Sequence, residues 1–284
     1  MKRVLVTGST GFVGRNTRDY LETVCELYAP TRAELNLLEE DSVRDYIAKN
    51  RIEVVLNLAN PNPVKNVLDK QNTMFEDSMR IFLNLYRAQD CYEMMYTLGS
   101  GAEYDKSKDA VQVTEEEELR SLPYDSYGLT KYLANCLISQ SIKQCNLRIF
   151  GCYGPTDHES KFITHAIRCC LRNEDITIRQ DCYFDYMHVY DLGKIMGFFI
   201  DHTPRYRSYN VCTGTRVKLS EIAGIVKTMM GSDSKIILLK DGFNKEYTGS
   251  NQRLLKEMGG YEFISLEEGI RLQIEEERKG FESL

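Results

Sequence analysis

The chain has 284 residues, with 36 Lys and Arg, 42 Asp and Glu, a formal net charge of −6 and 42% hydrophobic residues. This composition is typical of a globular protein with ample core, and it excludes an intrinsically disordered chain. The negative charge argues against nucleic acid as the main partner, and no apolar run approaches the ~20 residues of a membrane helix.

Short apolar runs alternate with helical patterns through the first half of the chain. The runs predict strands at Val4–Val6, Val24–Ala29, Glu53–Leu58, Met94–Leu98 and Asn146–Phe150. Helices are predicted between them, at Phe12–Thr23, Asp41–Lys49 with Asp41 as its cap, Met74–Gln89 and Ser126–Lys143. This alternation predicts an α/β fold with a Rossmann-type, doubly wound parallel sheet that has helices on both faces.

The regular strand spacing is lost after residue 154. We therefore predict a first domain over residues 1–154 and a smaller C-terminal α/β domain over residues 155–182 and 213–284. A return strand of the first sheet is expected within residues 183–212, at Tyr209–Cys212.

Three further features are interpreted without assigning a site to them. The acidic run Thr114–Glu118 is interpreted as a solvated loop. The 9 cysteines form no C-x-x-C pair and the 4 histidines add no zinc pattern, so we expect free thiols and no metal. No signal peptide is recognisable before Gly8, and together with free thiols this predicts a cytoplasmic protein.

A glycine-rich loop follows the first predicted strand and runs into the first predicted helix. It reads Thr7-Gly8-Ser9-Thr10-Gly11-Phe12-Val13-Gly14. Glycine permits a tight turn and a close approach of a pyrophosphate, and the helix N-terminus offers N–H groups and a positive dipole end. The placement of this motif at a strand–loop–helix junction predicts binding of a dinucleotide cofactor.

The residues after the second predicted strand bear on which dinucleotide binds. An acid there would bind the 2′-hydroxyl of NAD, but Arg32 is the nearest charge. Arg15, just after the glycine loop, is a second candidate to bind the 2′-phosphate of NADP. The alternative is that both arginines are only solvated. We expect NADP(H) to be favoured, with NAD(H) as the alternative.

Three residues carry the pattern of a proton-transfer site. Tyr127 and Lys131 are four apart in a predicted helix and share a face, and an ammonium near a phenol lowers its ordinary pKa of about 10. Tyr127 would then exchange a proton with a substrate oxygen, while Lys131 holds the nicotinamide ribose. Ser100, at the end of the fourth strand, would polarise a carbonyl; the alternative is a serine that satisfies a turn.

These motifs resemble the extended short-chain dehydrogenases/reductases, the NAD(P)-dependent epimerase/dehydratase group that acts on nucleotide sugars. The resemblance covers almost the whole chain, and its core is the set Gly8, Gly11, Gly14, Ser100, Tyr127 and Lys131. It implies that the first domain binds NAD(P), with Leu58, Ala59 and Asn60 lining the cofactor, and that the second domain binds the substrate.

The resemblance also implies candidate substrate residues, namely Gly151, Lys161, Arg179, His188 and Arg253. Gly151 stands where the group usually has Asn, and Phe184 stands where an Arg commonly grips the diphosphate. Diphosphate binding is therefore expected from Arg179, Lys161 or Arg253, and the choice stays open.

Several residues differ from those usual in the group, and these differences exclude some of the reactions that the group catalyses. The segment Thr31–Leu38 resembles GDP-fucose synthases, but Ala102 and Lys161 replace the Cys and His of their epimerising pair. Sugar dehydratases carry acids at the positions of Gly101 and Ala102, and Glu103 comes one position too late. The resemblance thus implies a reductase for the 4-keto group of a nucleoside-diphosphate 4-keto-6-deoxyhexose, with Tyr127 as the proton donor. A nucleotide-sugar 4-epimerase and a non-catalytic dinucleotide-binding protein are the alternatives.

The family resemblance further implies a homodimer that is formed through the helices at 74–89 and 126–143. The apolar residues that fit such a contact are Ile81, Leu85, Leu133, Leu137 and Ile138, and they fit packing on the sheet equally well.

Overall fold

The structure is a computed structural model that describes residues 1–61 and 71–282. Its strands are β1 Arg3–Thr7, β2 Glu26–Tyr28, β3 Val54–Asn57, β4 Met94–Ser100, β5 Ala110–Val113, β6 Gln144–Ile149, β7 Gly151–Tyr153, β8 Ile176–Ile178, β9 Tyr183–Phe184, β10 Tyr186–His188, β11 Ser208–Val211, β12 Val217–Lys218, β13 Ile236–Leu238 and β14 Tyr247–Gly249. Its α-helices are α1 Phe12–Val24, α2 Glu40–Asn50, α3 Gln71–Arg87, α4 Ser126–Ile138, α5 Phe162–Leu171, α6 Val189–Asp201, α7 Leu219–Met230, α8 Gln252–Met258 and α9 Leu266–Glu282.

The central sheet has six strands in the order β2-β1-β3-β4-β6-β11, and every neighbouring pair is parallel. Side chains alternate between its two faces, as β1 illustrates. Val4 packs on one face with Leu21 of α1, whereas Leu5 packs on the other face with Ile47 of α2. Helices cover both faces, so the predicted α/β fold with a doubly wound parallel sheet is confirmed.

The strands after β6, apart from β11, form smaller sheets together with β5. Their strand orders are β12-β9-β14-β5, β10-β7 and β13-β8. A separate apolar cluster joins α5, α7 and α9 through residues such as Ile167, Val226 and Ile270. Strand β5 pairs with β14, and Leu254 of α8 packs with the core of the central sheet. The division into two domains at residue 154 stays a prediction.

The predicted return strand is confirmed, because β11 pairs with β6 in parallel. The short strands β9 and β10, earlier in the same predicted range, belong to other sheets. The prediction that Asp41 caps α2 is wrong. Glu39 is the N-cap and Asp41 lies in the first turn, where a carboxylate still interacts favourably with the helix dipole.

The acidic run at residues 114–118 is not the solvated loop that we predict from its charge. Glu115 is buried and accepts a hydrogen bond from the Asn210 backbone N–H at 2.7 Å. Glu118 accepts one from the buried guanidinium of Arg148, also at 2.7 Å. A fully buried arginine needs anionic partners, and this run supplies one of them.

The apolar residues expected at a dimer contact divide into two sets. Ile81, Leu85 and Ile138 are buried in the core under the central sheet, so their packing is internal. Leu133 and Leu137 on α4 are only half-buried. Within residues 1–61 and 71–282, none of the helices has both the length and the apolar composition needed to cross a bilayer.

Candidate active site

The glycine loop makes close backbone contacts that exclude larger residues. Gly8 has φ +68°, and a Cβ on it would lie 2.9 Å from the backbone of Ala59. A Cβ on Gly14 would lie 2.6 Å from the Gly8 carbonyl oxygen. These distances are well below a normal carbon contact, so the loop, the start of α1 and the end of β3 pack together only with glycine at both positions.

The same loop leaves the beginning of α1 open to a ligand. Gly11 is the N-cap of α1 and contributes no side chain, and its N–H donates to the Gly8 carbonyl at 3.0 Å. The first-turn N–H groups of a helix have no intrahelical acceptors, and the dipole makes this end positive. This arrangement fits the pyrophosphate of a dinucleotide.

A cleft beside the loop, which we call the dinucleotide cleft, contains six of the residues predicted to contact the cofactor. Those that line it are Gly8, Ser9, Thr10, Arg32, Ala59 and Asn60. Phe12 and Val13 lie in the first turn of α1, and Leu58 packs against the core. Arg15 is exposed and lines a different cleft, between α1 and α6, so the structure does not bring it together with Arg32. Asp77 of α3 lines the dinucleotide cleft and was missed by the sequence analysis.

Ser100 lies at the carboxyl end of β4, and both its backbone and its hydroxyl are held in place. Its N–H donates to Glu103 Oε1 at 2.9 Å, and its Oγ accepts from the Ala102 N–H at 3.2 Å. The Glu103 carboxylate is buried and also accepts from Arg148 Nε at 2.9 Å. Glu103 therefore points into the protein, away from any ligand, as its position after Ser100 predicts.

Tyr127 and Lys131 lie on one face of α4, next to the end of β4. Lys131 Nζ donates to the Leu98 carbonyl at 2.8 Å and lies 6.0 Å from the centroid of the Tyr127 ring. Burial lowers the pKa of Lys131 to about 8, although Glu103 opposes this shift. Burial raises the pKa of Tyr127, and a hydrogen bond with the Ser100 side chain counteracts it only in part.

The prediction that Lys131 lowers the pKa of Tyr127 is therefore wrong for this arrangement. The ammonium is bonded to a carbonyl of β4 rather than to the phenol, and burial dominates at the tyrosine. A phenol with a raised pKa stays protonated at neutral pH and is able to donate a proton.

A second cleft, which we call the reaction cleft, brings together residues from distant parts of the chain. It contains Ser100, Tyr127, Gly151 and Lys161 from the predicted set. Its remaining wall includes Lys106, Phe150, Asp157, Phe184, Tyr186 and Tyr247. The sequence analysis missed Lys106 and Tyr247, because no local motif indicates that β14 reaches the end of β4.

Three of the predicted substrate residues do not line the reaction cleft. Arg179 is exposed just after β8. His188 is fully buried, its Nδ1 accepts from the Tyr190 N–H at 3.3 Å, and burial lowers its pKa to about 4. Arg253 is bound to Glu116 Oε1 at 2.8 Å and to the Ser208 carbonyl at 3.1 Å. These three assignments stay predictions, and among the three cations left open for the diphosphate only Lys161 lines the reaction cleft.

Comparison with known proteins gives relatives over the whole length of the chain. The sequence is 26% identical over 315 residues to GDP-L-fucose synthase of Escherichia coli, covering 95% of this chain and 94% of the relative. It is 24% identical to GDP-6-deoxy-D-mannose reductase of Pseudomonas aeruginosa, covering 95% of both. It is 23% identical to an ADP-L-glycero-D-manno-heptose-6-epimerase of Brachyspira hyodysenteriae, covering 94% of this chain and 95% of that one.

Solved structures share the fold. A GDP-L-fucose synthetase from Naegleria fowleri bound to NADP superposes with a TM-score of 0.86 at 14% identity, covering 99% of this chain and 94% of that chain. The RMD protein of Pseudomonas aeruginosa complexed with NADPH superposes with a TM-score of 0.83 at 24% identity, covering 98% and 100%.

The sequence model of the NAD dependent epimerase/dehydratase family matches residues 4–212. This range includes the glycine loop, the end of β4 and the Tyr127–Lys131 pair. The chain therefore belongs to the NAD dependent epimerase/dehydratase family.

Proposed function

We propose that the protein is an NAD(P)H-dependent reductase of nucleotide sugars, and that it reduces the 4-keto group of a nucleoside-diphosphate 4-keto-6-deoxyhexose. The observation that carries this proposal is the reaction cleft. It combines a hydroxyl that can polarise a carbonyl with a phenol that can protonate it, at the carboxyl edge of the sheet that carries the glycine loop. Two of the relatives named above are, by name, a reductase and a synthase of GDP-linked deoxy sugars.

NADP(H) is the favoured cofactor in this proposal, and NAD(H) is the alternative. Arg32 lines the dinucleotide cleft, where a guanidinium can pair with a 2′-phosphate. The two solved structures described above contain NADP and NADPH. Residues of the glycine loop, Arg32, Ala59 and Asn60 would hold the dinucleotide.

The chemistry divides between the cofactor and the residues of the chain. The nicotinamide, when bound, supplies the hydride. Ser100 donates a hydrogen bond to the carbonyl oxygen and stabilises the negative charge that develops on it. Tyr127 gives its phenolic proton to that oxygen, and Lys131 holds the nicotinamide ribose.

Substrate binding is assigned to the wall of the reaction cleft. Lys161 provides positive charge for the diphosphate, in place of the arginine that Phe184 replaces. Gly151 contributes backbone to the cleft wall and packs closely on the next strand, because a Cβ there would lie 2.5 Å from the Asp185 carbonyl. The cleft excludes water and orients the sugar.

A nucleotide-sugar 4-epimerase is the second candidate, because it would use the same three residues to oxidise and re-reduce one carbon, and one relative named above is, by name, an epimerase. The two candidates differ in the cofactor, which a reductase consumes and an epimerase does not. A non-catalytic binding protein would have no need for Ser100, Tyr127 and Lys131 together, so we rank it last.

We also propose the context in which the enzyme works. The protein acts in the cytoplasm, residues 1–154 bind the cofactor, and residues 155–182 and 213–284 bind the substrate. It forms a homodimer through α3 and α4. Leu133 and Leu137 on α4 support that contact, because both are apolar and only half-buried in the single chain.

Replacing Tyr127 with Phe tests the mechanism. Loss of the proton donor should reduce turnover of the 4-keto sugar by at least ~10³-fold, while NADPH binding measured by fluorescence stays within a factor of two. Tyr124→Phe is the matched control, because Tyr124 is 94% exposed just before α4, and it should keep wild-type turnover. Turnover retained by Tyr127→Phe would disprove the assignment.

A further inference from the structure

The Tyr247 side chain adds a third hydroxyl group to the reaction cleft, beside those of Ser100 and Tyr127. No sequence motif indicates this residue. The residue lies on β14, far along the chain, yet its phenol lines the reaction cleft with Ser100 and Tyr127. A Cβ on Gly101, the residue after Ser100, would lie 2.6 Å from Tyr247 Oη. The Tyr247 hydroxyl therefore lies beside the backbone that directly follows Ser100. Glycine at position 101 is therefore what lets the Tyr247 hydroxyl reach Ser100.

The backbone of Tyr247 is fixed from both sides. Tyr247 pairs with Ala110 of β5 and with Phe184 of β9, so β14 is an inner strand of its sheet. Its carbonyl accepts from the Asp185 N–H at 3.2 Å. A strand held in this way positions a side chain more accurately than a loop would.

The ring of Tyr247 is held as firmly as its backbone. Its centroid lies 5.2 Å from those of both Phe150 and Phe184, and Lys106 Nζ lies 4.5 Å above its face. Only 6% of the residue is exposed. The hydroxyl thus has a defined position next to Ser100 without further rearrangement.

We propose that Tyr247 is a catalytic residue that donates a hydrogen bond to the substrate carbonyl oxygen polarised by Ser100. This inference rests on the function proposed above. Tyr247 transfers no proton in the reaction; the proton that forms the product hydroxyl still comes from Tyr127. The oxygen would receive hydrogen bonds from Ser100 and Tyr247 as negative charge develops on it.

The surroundings of Tyr247 suit a donor of this kind. Burial raises the pKa of the Tyr247 phenol, so it keeps its proton at neutral pH. Ser100 accepts from the Ala102 N–H and has a single proton to donate. The Tyr247 hydroxyl supplies a second donor for the carbonyl oxygen.

Tyr247→Phe tests the proposal, because it removes the hydroxyl and keeps the ring packing. A donor that acts on developing charge contributes ~10²–10³-fold to kcat in comparable sites, so kcat should fall about 100-fold while KM changes less than threefold. Tyr183→Phe is the matched control. Tyr183 is on the neighbouring strand β9, its ring stacks on Phe243 at 5.6 Å and it does not line the reaction cleft. Its kcat should stay within twofold of wild type.

The possible results separate the two proposals. A kcat of Tyr247→Phe within twofold of wild type, or a rise in KM alone, overturns the role of Tyr247 and leaves the reductase intact. A wild-type protein that reduces none of the 4-keto sugars overturns both. If Tyr247→Phe does not fold, Gly101→Ala gives the answer, since its methyl displaces the same hydroxyl; an unchanged kcat in that variant overturns the proposal.

Discussion

Burial acts in opposite directions on the two titratable residues of α4. It raises the pKa of Tyr127, so the phenol keeps the proton that the proposed reduction would consume. It lowers the pKa of Lys131 to about 8, so the ammonium proposed to hold the ribose would be lost within an accessible pH range. Tyr127 therefore stays protonated at alkaline pH, whereas Lys131 loses its proton at about pH 8.

This difference predicts the pH dependence of the reduction. The kcat/KM should be constant below about pH 7 and should fall through about pH 8 as Lys131 loses its proton. In Lys131→Arg the residual kcat/KM should not fall through pH 9, because guanidinium stays charged. The measurement is kcat/KM from pH 6 to 9.5 for both proteins. The same decline in Lys131→Arg would show that another group causes it.

Individual site residues can be predicted from the sequence when they belong to a short motif with fixed spacing. Ser100, Tyr127 and Lys131 belong to short motifs, and the structure brings Ser100 and Tyr127 into one cleft beside Lys131. Tyr247 and Lys106 reach that cleft only through long-range packing, so no motif indicates them. The ion pairs of Arg253 could not be predicted for a related reason. Its acidic partners lie far away in sequence, and the charge pattern does not show that they pair with it.

Among the elements, the junction of β1 with α1 is packed so closely that a side chain larger than glycine should disrupt it. Gly14→Ala places a methyl group 2.6 Å from the Gly8 carbonyl, so the loop must shift. We expect NADPH to bind at least tenfold more weakly and the free energy of unfolding to fall by about 1–3 kcal/mol. Calorimetric titration and urea unfolding measure the two effects.

Gly224→Ala is the matched control for this substitution. Gly224 lies inside α7, and a Cβ there would have no neighbour within 4 Å. Because alanine is the better helix former, this variant should gain about 0.5–1 kcal/mol and bind NADPH normally. A Gly14→Ala protein that also behaves this way would contradict the role given to the glycine loop.

Strands are predicted correctly where the apolar run is long. They are missed where the strand is short and its partner strand lies far away in the sequence. The central strands are buried on both faces and therefore appear as continuous apolar runs. Strands such as β9 and β12 have two residues each, too few for a periodic pattern. The acidic run at 114–118 misleads for another reason, because its partner Arg148 is a buried charge on a strand 30 residues later.

At the scale of the whole molecule, the two clefts lie at the same edge of the sheet. Gly8 follows β1 and Ala59 follows β3, while Ser100 ends β4, the next strand along. Ligands of open parallel sheets bind at the carboxyl ends of the strands. Neighbouring strands therefore present the dinucleotide cleft and the reaction cleft side by side, as a transfer between two ligands requires.

The proposed homodimer gives a prediction at this scale. Leu133→Glu places a charge on the half-buried face of α4, and it should convert a particle of twice the 32.8 kDa chain mass into a monomer. Light scattering after gel filtration measures the mass. Leu122→Glu, at a position 64% exposed before α4, should remain dimeric. A Leu133→Glu protein of unchanged mass would rule out this contact.

The most direct test of the central claim is the stoichiometry of cofactor oxidation by the purified protein. NADPH and NADH are offered separately with GDP-, dTDP- and CDP-linked 4-keto-6-deoxyhexoses, and the sugar product is identified. We expect one NADPH to be oxidised for each 4-keto group reduced, with one of these nucleotides preferred. Interconversion of 4-hydroxy sugars without net oxidation of the cofactor would contradict it and would identify an epimerase instead.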